Sequence, residues 1–243
     1  MTRGVKIIPD FYIILVEPKY GGNIGGVARV MANFDFYDLY LVNPCEFDDE
    51  CYKRAMHAQG IVENAKVFKS FEKAIKEMDY VVATSSVESK NDKKHLRNAV
   101  SLEFFSEKIF ETTGRIGLVF GREDYGLFNE EIAMCDMLVK IPTSESYPSL
   151  NLSHAVGVVL YSLFIYKDVK THGVSRVIGG VEKEKLYSFF SELLDVIDYP
   201  DHKKENTRVM FKRLIGRAMP SKWEYHTLMG VFSRTLNKLK KRR

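Results

Sequence analysis

Three short polar clusters carry most of the side chains in this sequence that could do chemistry. The first is NIGGVAR, where Asn23 and Arg29 flank a glycine pair; the second is FGREDYGL, which carries Glu123; the third is PSLN, with Ser149 and Asn151. Arginine stays protonated and can hold a phosphate or stabilise an oxyanion, while the other side chains accept or donate hydrogen bonds. Each cluster alone is also compatible with turns and helix capping. Three such clusters together indicate one site.

Each cluster follows a stretch that is typical of a buried strand. FYIILV at 11–16 is a continuous β-branched and aromatic run, and RIGLVFG at 115–121 and MLVKIP at 137–142 are similar. In an open parallel sheet, ligands bind beyond the carboxyl ends of the strands, where loops enter helices. The three clusters are therefore expected at the same edge of a sheet.

The rest of the pattern alternates strands with helices, which predicts an α/β fold with a parallel sheet. Further strands are expected at 38–44, 65–68 and 79–86, and helices near 24–34, 50–60, 71–78, 101–113 and 149–167. A polar, glycine-containing linker then precedes three helical stretches near 182–197, 203–217 and 221–239. The predicted organisation is a main domain at 1–167, a linker at 168–181 and a basic helical extension at 182–243.

Composition limits the class of protein. The 243 residues are 45% hydrophobic and 28% charged, which is ordinary for a globular chain. No apolar run approaches the ~20 residues needed to span a bilayer. Three cysteines without a CxxC pattern favour a reducing, cytoplasmic setting. The spacing of Cys45, Cys51 and His57 fits no common zinc pattern, so no metal is expected.

Charge is distributed unevenly along the chain. Residues 203–243 contain 13 Lys and Arg against two Glu, a net of +11, so the other 202 residues carry −7 within the total of +4. Such asymmetry predicts a basic module that binds a polyanion. A solvated helical face with a basic tail is the alternative.

The usual nucleotide-binding fingerprints are absent. GGNIGG is not GxGxxG, and no GxxxxGK[ST] occurs. A Rossmann-type site is therefore weakly supported by the residues alone.

The order and spacing of NIGGVARVMANFDF, LVFGREDYGL and IPTSESYPSLNLSHAV resemble the three signature motifs of the SPOUT superfamily of RNA methyltransferases. Within it, the chain looks most like the TrmJ type, which methylates the ribose 2′-hydroxyl of nucleotide 32 in the tRNA anticodon loop. The resemblance covers residues 11–166 and, less firmly, the basic C-terminal helices. It implies a deep C-terminal trefoil knot, S-adenosyl-L-methionine as methyl donor and a homodimer with its site at the subunit interface.

The same resemblance implies which residues act. Asn23, Arg29, Glu123, Ser149 and Asn151 match the polar catalytic positions. The implied donor-binding positions are Thr84, Ser85, Ser86, Gly121, Ile141, Pro148, Ser149 and Leu150.

The chemistry of each side chain limits the role that it can have in methyl transfer. Because a guanidinium remains protonated, Arg29 is expected to clamp a phosphate and stabilise the oxyanion rather than act as a base; the alternative is a structural ion pair, for instance with Glu123. Asn23 is expected to cap the first helix and to hold Arg29 or the RNA. Glu123 is expected to orient Arg29 or Arg122 across the dimer, and a plain interior ion pair is the alternative. Ser149 either contacts a ligand or caps a helix.

The leading hypothesis is therefore a donor-dependent tRNA 2′-O-methyltransferase with tRNA as its partner. The runner-up is a ribosomal RNA 2′-O-methyltransferase of the same superfamily. A non-catalytic RNA-binding protein on this scaffold is the third hypothesis. Methyl transfer to each RNA separates the three.

Overall fold

The computed structural model describes residues 9–86, 98–167 and 177–241. Their centre is one seven-stranded sheet in the order β3-β2-β1-β6-β4-β7-β5, and every strand pairing is parallel. The strands are β1 Asp10–Val16, β2 Asp38–Val42, β3 Lys66–Phe68, β4 Tyr80–Ser85, β5 Val100–Ser101, β6 Arg115–Phe120 and β7 Met137–Lys140. The predicted α/β class is confirmed, and only the two-residue β5 is unanticipated.

Helices cover both faces of this sheet. Those of the main domain are α1 Gly21–Asn33, α2 Asp49–Ala55, α3 Gln59–Glu63, α4 Phe71–Ile75, α5 Leu102–Lys108, α6 Asn129–Met134 and α7 Leu152–Tyr166, with 3₁₀ turns at Met56–Ala58 and Ile109–Glu111. Ile13 and Leu15 of β1 enter one hydrophobic core, whereas Ile14 and Val16 enter the core on the opposite face. The continuous apolar run therefore reflects a strand buried on both sides.

The strand order brings the polar clusters together. The chain builds outward from β1 through β2 to β3, and its later strands β6, β4 and β7 extend the sheet on the other side of β1. Strands β1, β6, β4 and β7 are therefore neighbours, and their carboxyl ends lie side by side. Open α/β sheets bind ligands at this kind of position.

Three long helices complete the described structure. They are α8 Gly180–Val196, α9 Asp201–Ala218 and α10 Lys222–Lys240. Their own small core includes Phe211, on which the Phe190 ring stacks at a centroid distance of 3.9 Å.

The described structure includes only the last residues of the expected linker at 168–181, which stays a prediction. Residues 168–176 lie outside the described residues, but Val177 already bridges to Ser221, and Ile178 donates its N–H to the Pro220 carbonyl. Helix α8 then begins at Gly180, before the predicted boundary at 181.

Candidate active site

The glycines of NIGGVAR serve helix packing rather than a ligand loop. Helix α1 already begins at Gly21, three residues earlier than predicted. A Cβ on Gly25 would lie 1.9 Å from the Cys51 carbonyl oxygen of α2, and one on Gly26 would lie 3.2 Å from the Ser153 side chain of α7. The glycine pair therefore lets α1 approach two helices closely.

One hydrogen-bonded chain joins all three polar clusters. Asn23 Nδ2 donates to Glu123 Oε1 at 2.7 Å, and Asn151 Nδ2 donates to Asn23 Oδ1 at 3.0 Å. The Asn151 Oδ1 atom in turn accepts from the Ser153 N–H at 2.9 Å. The Lys19 N–H donates to Glu123 Oε2 at 3.1 Å. The predicted meeting of the three clusters is thus observed for Asn23, Glu123 and Asn151.

The predicted helix cap by Asn23 is wrong, and the alternative in which Ser149 caps a helix is not observed. Helix α1 has no side-chain cap, because its N-cap position is Tyr20 and Asn23 lies within its first turn, with its amide turned toward the neighbouring clusters. Helix α7 is capped by Asn151, not by Ser149, which is exposed. Asn151 therefore both starts α7 and holds Asn23.

Glu123 does not orient an arginine among the described residues. Arg122, beside it, is buried and paired elsewhere: its guanidinium contacts Glu131 at 2.9 and 3.0 Å and Glu17 at 2.8 Å. The Arg122 guanidinium also lies 4.0 Å from the centre of the Phe128 ring. Its hydrogen bond lowers the pKa of Glu17. Sequence reasoning missed Glu17 and Glu131.

The Arg122 cluster fixes the loop after β6. Arg122 and Gly126 exchange backbone hydrogen bonds, and Gly126 has a φ of +65°, which glycine adopts at little cost. A Cβ on Gly121 would lie 2.2 Å from the Gly126 carbonyl carbon. This tight turn carries Glu123, so a buried ion pair on one side of the loop supports the polar chain on the other.

All eight predicted donor-binding residues line one cavity of about 300 Å³. This donor cavity is enclosed by the ends of β4, β6 and β7; its predicted lining residues are Thr84, Ser85, Ser86, Gly121, Ile141, Pro148, Ser149 and Leu150. Phe120, Leu127 and Ile132 add apolar surface. A mixture of hydroxyl groups and apolar side chains at this size suits a nucleoside-like ligand.

A second, wider cavity of about 860 Å³ adjoins the first. This outer cavity contains Asn23 and Asn151, together with Lys19 and the backbone at the start of α1. Glu123 and Leu150 line both cavities and so mark where they meet. The hydrogen-bonded chain therefore lies at the junction of a narrow and a wide compartment.

Arg29 is not part of this chain of contacts. It is exposed on α1, lines neither cavity and forms no ion pair within the described ranges. Six residues of helix place it about 9 Å along α1 from Asn23. The alternative of an ion pair between Arg29 and Glu123 is therefore not found within one chain. His154, at the start of α7, is also exposed.

The described residues contain neither a metal-binding cluster nor a membrane-spanning helix. In residues 9–86, 98–167 and 177–241, no group of three or more His, Cys, Asp or Glu is arranged to hold a metal ion. The cysteines Cys45, Cys51 and Cys135 are free thiols. None of the described helices has the length and apolarity needed to cross a membrane.

Comparison with known families identifies the class. The model of the SpoU rRNA Methylase family matches residues 10–161, which contain the whole sheet and all three polar clusters. The chain therefore belongs to the SpoU methylase family. The predicted methyltransferase class and its SPOUT-type fold are confirmed.

The relatives narrow the type to TrmJ. The protein named tRNA (cytidine-2′-O-)-methyltransferase TrmJ of Methanocaldococcus jannaschii is 44% identical over 228 residues, which cover 90% of this chain and 97% of that protein. The crystal structure of TrmJ from Z. mobilis ZM4 matches 94% of this chain and 99% of its own, with a TM-score of 0.70 and 27% identity. The SpoU methyltransferase AviRb from Streptomyces viridochromogenes, solved in complex with AdoMet, shares the fold with a TM-score of 0.50 and 21% identity. The match covers 65% of this chain and 60% of AviRb.

Proposed function

We propose that this protein methylates the ribose 2′-hydroxyl of nucleotide 32 in the tRNA anticodon loop, with S-adenosyl-L-methionine as donor. The observation that carries the proposal is the junction of the two cavities at Glu123 and Leu150. A donor in the narrow cavity and a nucleotide in the wide one would meet at the Asn23–Glu123–Asn151 chain. The TrmJ-named relative supports tRNA as substrate.

The donor cavity fits S-adenosyl-L-methionine by its chemistry. Ile141 and Leu150 offer apolar walls for the adenine, and Ser85, Ser86 and Ser149 bring hydroxyl groups to the same space. Pro148 has no N–H, so hydrogen bonds to the donor at that turn fall to its neighbours. When bound, this donor supplies a methyl group on a positively charged sulfur.

The chain's own residues must align the ribose and stabilise its oxyanion. Asn23 and Asn151 are held rigidly enough by their mutual hydrogen bond to orient a ribose or phosphate in the outer cavity. Arg29 clamps the neighbouring phosphate and stabilises the 2′-oxyanion. The proton leaves to that phosphate or to water.

The exposed position of Arg29 supports a homodimer whose site is completed across the interface. Arg29 is exposed on α1, and the neighbouring helix α7 exposes the apolar side chains of Val158, Tyr161 and Ile165. Helices α1 and α7 pack together, and the Phe34 ring contacts Tyr161 at a centroid distance of 6.1 Å. Pairing two such faces would bury this apolar surface and carry Arg29 toward a second copy's site.

Exposed cations that could bind tRNA lie along α10 and directly after its carboxyl end. Arg234, Lys238 and Lys241 are exposed, follow each other at helical spacing and form no ion pair within the described residues. Trp223, 76% exposed near the start of the same helix, can stack on a base. Residues 182–243 are accordingly proposed as the tRNA-binding extension, joined to a methyltransferase domain at 1–167 in a cytoplasmic protein.

The deciding experiment uses the purified protein, labelled S-adenosyl-L-methionine and unmodified tRNA, with the label mapped by nucleotide. Label should appear as a 2′-O-methyl group at position 32 and fall at least about 100-fold in Arg29→Ala, because an oxyanion-stabilising group is lost. Arg115→Ala is the matched control: Arg115 is exposed at the opposite end of the sheet, so its loss should leave the rate unchanged.

Other outcomes separate the alternatives. Label at another ribose would still identify a tRNA 2′-O-methyltransferase but would assign it a different target nucleotide. Transfer to ribosomal RNA but not tRNA would favour the second hypothesis, which the family's description keeps open. Donor binding without transfer to either RNA would leave a binding protein.

A further inference from the structure

The short helix α6 links the loop that bears Glu123 to strand β7. It has six residues, Asn129–Met134, and the last carbonyl groups of any helix lack partners within it. Two cations of α9 bind these groups: Arg213 Nη2 donates to the Ile132 carbonyl at 2.8 Å, and Lys212 Nζ donates to the Met134 carbonyl at 2.6 Å. The Ile132 carbonyl also accepts the Cys135 N–H at 3.1 Å. Positive charge at a helix carboxyl end is also favourable to its dipole. The extension therefore completes a helix of the main domain.

The contact between α9 and the carboxyl end of α6 is buried and close. Arg213 is only 2% exposed, although it is an arginine in the basic extension. One turn further along α9, a Cβ on Gly216 would lie 2.1 Å from the Asp136 carbonyl oxygen. The side chain of Asp136 pairs with Lys183 of α8 at 2.6 Å. The extension thus holds the segment from Ile132 to Asp136 at several neighbouring points.

The opposite side of α6 faces the donor cavity. The Ile132 side chain lines that cavity, while its carbonyl is the group that Arg213 holds. The preceding residue, Glu131, forms the buried pair with Arg122, which supports the turn that carries Glu123. A shift of α6 would therefore change a wall of the donor cavity and the anchor of the catalytic loop together.

We propose that Arg213 is a positioning residue for the donor cavity. It acts through Ile132 and the Arg122–Glu131 pair, so the C-terminal extension shapes methyl-donor binding as well as any contact with tRNA. This inference rests on the proposed function only in taking the 300 Å³ cavity as the donor site.

The test measures binding of S-adenosyl-L-methionine to the full-length protein by calorimetry, without tRNA. Arg213→Met removes the charged donor at similar length and should raise the dissociation constant about tenfold, the effect of one lost positioning contact. Arg213→Lys can still reach the Ile132 carbonyl and should recover part of the loss. The matched control is Leu214→Ala: Leu214 is the next residue on α9, is 48% exposed, and should leave the dissociation constant unchanged.

Unfolding is measured for every variant, and binding is compared well below the lowest melting temperature. A folded Arg213→Met protein with wild-type donor affinity would overturn the proposal, because a purely structural role lowers stability without changing donor affinity. If Arg213→Met does not fold, Lys212→Met is tested instead. It should weaken binding of S-adenosyl-L-methionine several-fold, and an unchanged dissociation constant would contradict the proposal. Failure of the wild-type protein to bind the donor would instead remove the proposed function.

Discussion

The extension contains two sets of cations that look alike in sequence and differ in structure. The inward cations, Lys183, Lys212 and Arg213, contact an aspartate or backbone carbonyls of the main domain. The outward cations, Arg234 and Lys238 of α10 and Lys241 directly after it, are exposed and form no ion pair within the described residues. The first set holds the two parts of the chain together, whereas the second set, like the exposed Lys185 and Lys203, is available to an external polyanion.

This difference shows why a count of charges overstates an RNA-binding surface. Of the cations between 203 and 241, six have partners inside the protein: Lys204, Arg208, Lys212, Arg213, Lys222 and Lys240. The net charge of +11 still attracts a polyanion at long range. Phosphate contacts, however, require cations that are free to leave their protein partners.

The largest expected effect distinguishes the two sets by stability. Lys183→Met leaves Asp136 charged, buried and without its ammonium partner, which should lower the free energy of unfolding by about 3–5 kcal/mol. Lys238→Met, at an exposed position, should change it by no more than about 0.5 kcal/mol. Urea denaturation of both variants checks the comparison. Equal stabilities would mean that the inward contacts do not hold the extension.

The next largest effect concerns tRNA binding, for which the outward cations should matter more than the inward cations. Replacing Arg234, Lys238 and Lys241 together by Gln should weaken tRNA binding and reduce the slope of log affinity against log salt by about 2–3, roughly 0.7–0.9 for each lost phosphate contact. Filter binding over a range of salt concentrations measures this slope.

Binding of the methyl donor is the control for the triple variant of Arg234, Lys238 and Lys241. The dissociation constant of this variant for S-adenosyl-L-methionine should equal that of the wild type, because α10 does not line the donor cavity. An unchanged salt slope would place the tRNA contacts elsewhere in the molecule and refute the role of the outward cations.

A third, smaller effect is the pH dependence of the inward contacts. Burial alone would raise the pKa of Asp136, but Lys183 and Lys212 outweigh it, so the pKa of this carboxyl is lowered below its usual value near 3.8. A lowered folded-state pKa gives stability that is present above the unfolded-state pKa and is lost as pH falls through the folded-state value.

Comparison with Asp136→Asn isolates this contribution. The difference in unfolding free energy between wild type and variant should be constant from pH 7 to about 5 and should shrink below about pH 4. Thermal unfolding across this range gives the measurement. A difference that grows toward acid would contradict the assignment of the lowered pKa to Asp136.

Sequence predicted the elements better than the contacts between them. The run FYIILV predicts strand β1 because it is apolar on both faces, whereas the residues that line the donor cavity were indicated only by the family resemblance. Their roles in donor binding remain predictions. The knot followed only from family resemblance, since no local pattern encodes the threading of a chain.

The missed features depend on distant partners. Glu17 and Glu131 lie in different segments, and only the fold brings both to Arg122. Arg213 resembles any other cation of α9 in sequence, and its burial follows from the position of the Ile132 carbonyl. The exposure of Arg29 likewise depends on which face of α1 packs against the sheet and the neighbouring helices, since six other residues of this helix are buried.

The smallest expected effect tests a third kind of cation, one that is paired at the surface. Lys204 of α9 contacts Asp195 and Asp201, each at 2.9 Å, so its charge is balanced by carboxylates rather than by the main domain or by solvent. Lys204→Met should change tRNA affinity by less than about twofold, since exposed pairs are worth little and the cation is already occupied. The measurement is the same filter-binding series, with Lys238→Met alongside. If Lys204→Met weakened tRNA binding as much as Lys238→Met, surface pairs would open readily for phosphate, and availability to RNA would follow exposure alone rather than the absence of a protein partner.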